Sequence, residues 1–484
     1  MGKRKKTRAR KNNSRLITFS LILCSAFVII LTIYKIVDVL TPTSAPVAAF
    51  PKLELTLSEY PIEQVDISPR ETEYQNNSVA LTVNNETTTF ENVEFKGHGN
   101  STWLQAKKSY QIKLPEKASL LNFDKAKKWL LISNSLDPSH LRNSLSFYLK
   151  QLLEEDYPIG GDYVELYIDG SYRGLYYLSE KVGINKSRVD LKDSYGIIAE
   201  LDNIHGAEHT CNYTALHNCL VFFDSVNKDN QTAAMNSFLN SFNDFELALK
   251  EHDYQKVDSL VDLGSFAKYY LLSEFSVNPD AYSSSFFFYQ DGPKGKIHAG
   301  PSWDFDYAFS NTNWAIDQVD SEALFSPAGT NALKTRIDSY KKSTEEIEYL
   351  DSIATIVYDL LDFPEFSEKV KSIYRSTLSG HRDEIIDYLR NRANYIRDAA
   401  YRDASRWKAK TDFNDSVDYL IDWVSKRFDH FETTFGPTTT NEEVLETPKT
   451  TEDSEVPEDS ETLEAPNPAP ESPKLGVEPS ALPE

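Results

Sequence analysis

The chain has 484 residues and a formal net charge of −23, enough for one large domain or two ordinary ones once segments unable to fold are set aside. Its acidity excludes a general nucleic-acid binder, which needs a basic face to neutralise phosphates.

Residues 1–15 are dense in Lys and Arg, and an uncharged, largely apolar run from Leu16 to Tyr34 follows at once. Its length approaches the roughly 20 residues that a helix needs to cross the hydrocarbon core. A cleaved signal has an apolar core of about 7–15 residues, so the run reads as an uncleaved transmembrane signal anchor at 16–35. The small residues Ser44-Ala45-Pro46 keep cleavage open. By the positive-inside rule the remainder lies outside the cytoplasm. The expectation is therefore a single-pass protein of the cell membrane, its folded region extracellular and its own anchor in the lipid bilayer. Residues 36–50 read as a linker.

From 51 to 437 the composition supports one folded region. Val79–Val83, Phe90–Phe95 and Ser109–Leu114 alternate as strands do, and Val164–Ile168 with Tyr172–Leu178 form a hairpin about Asp169-Gly170. The period then changes. Asn236–Glu251, Leu263–Phe275, Glu345–Asp362 and Pro364–Ala399 carry apolar residues at helical spacing. This predicts an α+β fold with a strand-rich first lobe and a helix-rich second lobe, with ligands expected between them. Cys211 and Cys219 stand close enough for a disulfide. Two free thiols, or zinc with His205, His209 and His217, are the alternatives, although the spacing repeats no finger or ribbon. Residues 438–484, rich in Pro, Thr, Ser and Glu, read as a disordered acidic tail, a candidate for contacts in the cell envelope.

The chemistry concentrates in Asn278-Pro279-Asp280 and in Ser302-Trp303-Asp304-Phe305-Asp306. In an extended segment Asp304 and Asp306 share one side while Phe305 points to the core, and two carboxylates suit a hard cation. Protein kinases place an Asn five positions after the catalytic Asp, and a metal-binding Asp before a Phe further on. Asp280, Ser285 and Asp304-Phe305 repeat that order with serine in place of asparagine.

Phe95-Lys96-Gly97-His98-Gly99-Asn100, Lys107-Lys108-Ser109-Tyr110, Asp137-Pro138-Ser139-His140-Leu141-Arg142-Asn143, Gly174-Leu175-Tyr176-Tyr177-Leu178-Ser179-Glu180 and Trp303-Asp304-Phe305-Asp306 together resemble the ordered blocks of the spore coat protein H (CotH) family of atypical kinases. The resemblance implies a reduced kinase-like fold that transfers the γ-phosphoryl group of ATP to serine, with Mg2+, Mn2+ or Ca2+. Its expected partner is an exported Ser-rich protein. It gives Asp280 the catalytic role, and Asp304, with Ser285 and Asp306, the metal. Lys96, His98, Asn100 and Lys108 then hold the nucleotide, with Glu180 as ion-pair partner of Lys108. The family usually has arginine where Lys96 and His98 stand, and asparagine where Ser285 stands. Those departures leave a second reading open, a weak or inactive CotH-like module that binds at the cell surface. Asn278 and Asn311 are candidate substitutes for the missing asparagine, and Asn143 is a candidate to orient the Lys108 loop.

Overall fold

The computed structural model describes residues 49–203, 210–278, 280–311 and 356–437. The expected anchor at 16–35, the tail at 438–484, His205, His209 and much of the helix expected over Glu345–Asp362 lie outside the described residues. Among those described, no helix is long and apolar enough to cross a membrane.

The first half is a closed barrel of seven strands. They are β1 (Lys52–Thr56), β2 (Tyr74–Val83), β3 (Glu86–His98), β4 (Ser109–Ala118), β5 (Ala126–Ile132), β6 (Gly161–Ile168) and β7 (Ser171–Glu180). The order is β1-β2-β3-β4-β5-β7-β6, closed by the parallel pairing of β1 with β6. Asp169 and Gly170 both have positive φ (50° and 72°), as a two-residue hairpin loop of the β6–β7 type demands. A short helix, α1 (Ile62–Ile67), sends Ile62 and Val65 into the barrel core.

Strand alternation divides the barrel residues into two sets. Tyr110 and Ile112 of β4, Trp129 and Leu131 of β5, and Tyr176 and Leu178 of β7 fill the barrel interior. Leu130 and Ile132, with Leu175 and Tyr177, point the other way into the core shared with the second half. Helix α2 (Arg142–Leu152), between β5 and β6, packs in that shared core through Leu145 and Leu149.

The second half is less purely helical than its periodicity predicts. It contains a five-stranded sheet, β12-β11-β8-β10-β9: β8 (Ile197–Leu201), β9 (Asn212–Tyr213), β10 (Cys219–Ser225), β11 (Phe286–Gln290) and β12 (Ile297–Ala299). β8 is almost wholly buried, so it shows no polar alternation to betray a strand. Helices α3 (Gln231–Lys250), α4 (Tyr254–Leu260) and α5 (Leu263–Ser276) accompany the sheet, and Phe238, Phe242 and Phe266 lie in the shared core.

The chain ends its described part in α6 (Ile356–Leu361), α7 (Pro364–Thr377), α8 (Arg382–Trp407) and α9 (Phe413–Phe435). The single helix expected over Pro364–Ala399 is two, interrupted near Gly380, whose φ of 80° no helix tolerates. Helix α9 is fixed by a fully buried ion pair, Arg427 to Glu274 of α5, at 3.2 Å. Helix α8 docks on the barrel through Asp403, which meets Lys107 at 2.6 Å and accepts the Leu175 amide at 2.8 Å. Of the three readings for the cysteines, the structure has the disulfide, Cys211–Cys219, from the residue just before β9 to the first residue of β10.

Candidate active site

A cleft of about 500 Å³ opens between the barrel wall and the loops of the second half. Its wall comes from β3, β4, β5 and the residues just after β7. Lys96 and His98, Ser109 and Gln111, Leu130 and Ile132, and Lys181 all line it. Each strand residue belongs to the outward-facing set of its strand, and Lys181 continues that of β7, so the cleft is the continuation of the alternation that builds the shared core. Arg70 lines the same side, donating to the Gly99 carbonyl at 2.9 Å. Asn100 lies at the exposed rim.

Three cations thus face the cleft: Arg70, beside its ion-pair partner Glu71 in the lining, Lys96, paired with Glu73 at 3.3 Å, and Lys181. Lys181 donates to Gln111 Oε1 at 2.6 Å, and its pKa is pushed down to about 8, chiefly by burial and then by Lys128 and Lys96, with Glu200 opposing. His98 is pushed down to about 3 by burial and the same cationic surroundings, so it is neutral at pH 7 and offers hydrogen bonds rather than charge. Gly97 faces inward instead, where a Cβ would lie 2.7 Å from the Trp103 ring and 2.9 Å from Arg70 Cα. That glycine is required by packing behind the wall.

The floor is acidic. Asp280, Ser285, Asp304 and Asp306 line the cleft together, with Glu200 of β8. The segment Ser302–Asp306 is not extended as the sequence suggests, because Asp304 (φ 64°) adopts left-handed backbone, as Ser285 (φ 54°) also does, a region costly for residues with a Cβ. The surrounding side chains hold it there. Asn278 accepts from the Asp280 amide at 3.2 Å and donates to the Asp304 carbonyl at 2.8 Å, so one buried amide ties the two carboxylate loops together. Asn143 of α2 donates to Asp306. Asn311 donates to the carbonyls of Leu136 and Asp306. Phe305 is buried, as its place between two carboxylates suggests.

Burial, with the neighbouring Asp306, Asp280 and Glu200, holds the Asp304 carboxyl well above the usual range, while Ser285 Oγ donates to its Oδ2 at 3.4 Å and works in the other direction. Asp306 is pushed up to about 6, mainly by burial, with Asn143 opposing. Crowded carboxylates of this kind are relieved by a proton or a cation. Among the described residues no three His, Cys, Asp or Glu side chains form a ready metal cage. Mg2+ needs none, since it is held by one or two carboxylates and completes its shell with phosphate oxygens and water. The oxygen donors of Asp304, Asp306 and Ser285 fit that mode.

Two expected nucleotide ligands are elsewhere. Lys108 donates to the Trp103 carbonyl and lies over the Trp103 ring, 4.6 Å from its centroid. Glu180 pairs with Arg188 at 3.0 Å. Glu180, and Lys108 just before β4, continue the barrel-interior parity of β7 and β4; they form no pair with each other and do not line the cleft. The neighbours Ser109 and Lys181, one residue on, have the parity that faces it. Asn143 orients Asp306 rather than the Lys108 loop, and Asn278 and Asn311 hold backbone rather than stand in for a metal-binding asparagine. Sequence reading missed Lys181, Arg70 and Glu200; for Lys181 the signal was available in the alternation of Tyr177, Ser179 and Lys181.

A strand barrel and a helix-rich part, with a carboxylate-floored cleft between them, form the layout expected of a kinase-like protein. The family model described as CotH kinase protein matches residues 93–431, and the chain belongs to that family. Among solved structures it is similar to the Helicobacter pylori proinflammatory kinase CtkA, at 7% identity over 66% of this chain and 95% of that one, with a TM-score of 0.24. A likeness that slight has no bearing on function. No curated protein sequence matches the chain.

Proposed function

We propose that the protein transfers the γ-phosphoryl group of ATP to a serine hydroxyl of an exported protein, in a reaction dependent on Mg2+, Mn2+ or Ca2+. The observation that carries this reading is the opposition of charge across one cleft: Arg70, Lys96 and Lys181 on the wall, Asp280, Asp304 and Asp306 on the floor. A polyphosphate needs cations along its oxygens, and a metal that bridges those oxygens needs carboxylates on its other side.

In this reading Lys181, already desolvated, holds phosphate oxygens, and neutral His98 hydrogen-bonds without adding charge. Asp304, with Asp306 and Ser285, would hold the divalent ion, which supplies neutralisation of the charge developing on the phosphates. Asp280 orients the acceptor serine and takes its proton as the serine oxygen bonds to the γ-phosphorus. The bond to the bridging oxygen breaks and ADP leaves.

Ser285 favours a second reading. Its hydroxyl is shorter than the family's asparagine and already donates to Asp304, so a weakened enzyme serving as a surface-binding module remains its alternative. The anchor expected at 16–35 would hold either form at the cell membrane, and the acidic tail at 438–484 would supply contacts in the cell envelope. Transfer of labelled γ-phosphate to a Ser-rich acceptor decides between them. Metal-dependent labelling that is lost in both Asp280→Ala and Asp304→Ala supports the kinase, whereas no labelling and no ATP binding leave the binding module.

A further inference from the structure

Helix α2 grips the floor of the cleft at three points. At its start Arg142 donates to the carbonyls of Ala308 and Phe309 at 3.1 and 3.4 Å. One residue later Asn143 donates to the Asp306 carboxylate. At the far end Lys150, fully buried, donates to the Ser302 carbonyl. Just past the helix, Glu155 accepts the Ser302 amide at 2.6 Å.

The last two contacts are unusual in kind. An amine and a carboxyl side chain take the carbonyl and the amide of one residue, Ser302, two positions before Asp304. The Lys150 ammonium also lies over the rings of Phe147 and Phe305, at 4.2 and 5.4 Å. Phe305 is the residue between the two cleft carboxylates. Gly300 makes room for the arrangement, since a Cβ there would come within 3.0 Å of Glu155 Oε1. A buried charge is costly unless its partners are fixed, and a lysine with no exposure is an expensive way to hold one carbonyl. The helix supplies a rigid spacing: from Asn143 to Lys150 it rises about 10 Å, and the chain from Ser302 to Asp306 is fixed at both ends of that length. Between the fixed ends lies Asp304, in the left-handed conformation that it would not choose alone.

We propose that Lys150 and Glu155 are positioning residues which, with α2 as a ruler, set the Asp304 carboxylate for a divalent cation. This rests on the metal role given to Asp304 above. Neither residue touches the cation; they act through the Ser302 main chain.

The test uses the full chain in detergent with a non-hydrolysable ATP analogue, reading Mn2+ binding by electron paramagnetic resonance and amide hydrogen exchange in residues 300–309. The variants are Lys150→Met, Glu155→Leu, Glu155→Gln and Asp304→Ala. Lys150→Met and Glu155→Leu are expected to weaken Mn2+ at least about tenfold and to speed exchange at Phe305 and Asp306. Glu155→Gln keeps an acceptor for the Ser302 amide and is expected to weaken Mn2+ less than Glu155→Leu does. Wild-type Mn2+ affinity and exchange in a folded Glu155→Leu protein overturn the inference, and that variant decides the matter if Lys150→Met does not fold. Should the wild type bind no Mn2+, or Asp304→Ala bind it unchanged, the metal reading fails instead; exchange in 300–309 then reports on the clamp by itself.

Discussion

The wall and the floor of the cleft are built by different means. The wall is regular: β3, β4, β5 and the residues just after β7 deliver side chains to the cleft, and the alternate strand residues fill the barrel. The floor is irregular: Ser285 and Asp304 sit in left-handed backbone, held by Asn278, Asn143 and the ends of α2. On a strand a side chain's role follows from its parity, so a neighbour is never a substitute. On the floor, position follows from long-range hydrogen bonds between segments distant in the chain.

The largest effect is expected on the floor. Asp280→Ala and Asp304→Ala should each reduce phosphoryl transfer by at least about 100-fold, measured with labelled ATP, while leaving the fold intact by circular dichroism. On the wall, Lys181→Ala should weaken ATP about 10- to 100-fold, the loss of a charge-assisted hydrogen bond. Lys108→Ala should leave ATP affinity within about twofold. Equal losses in the two lysine variants, by calorimetric titration, would erase the parity distinction.

That distinction marks where the sequence was legible. The strands Val79–Val83, Phe90–Phe95 and Ser109–Leu114 and the hairpin at Asp169-Gly170 announce themselves through alternation, because one face is apolar and the other is not. Of the residues that the motif blocks singled out, Asp280, Ser285, Asp304 and Asp306 line one cleft, whereas Lys108 and Glu180 do not. Both are charged residues in conspicuous motifs, but their strand neighbours Tyr110 and Leu178 are barrel core, which assigns them to the interior side. Arg70 and Glu200 carried no motif, and β8 showed no alternation because it is buried on both faces. Nothing local in the sequence tells that Asn278 bridges two carboxylate loops or that Lys150 reaches Ser302, since those contacts exist only after folding.

Two smaller effects sharpen the account of the wall. The Lys181 pKa of about 8 lies below that of a free lysine, and a bound phosphate favours the charged ammonium. Below pH 8 the charge is present and binding is full; above it, binding must take up a proton. ATP affinity should therefore fall by up to about tenfold per pH unit above 8, and Lys181→Arg, charged throughout, should flatten the profile. Gly97→Ala should cost about 1–3 kcal/mol of stability by overpacking against Trp103, read as a lower midpoint in urea.

The most direct test of the cleft as a metal–nucleotide site is calorimetric titration of ATP into the purified protein with and without Mg2+, for the wild type, Lys181→Ala and Asp304→Ala. Binding that Mg2+ strengthens in the wild type, loses that enhancement in Asp304→Ala, and weakens with or without metal in Lys181→Ala is the predicted result. ATP binding indifferent to Mg2+ and unchanged in both variants, or no binding at all, would contradict it.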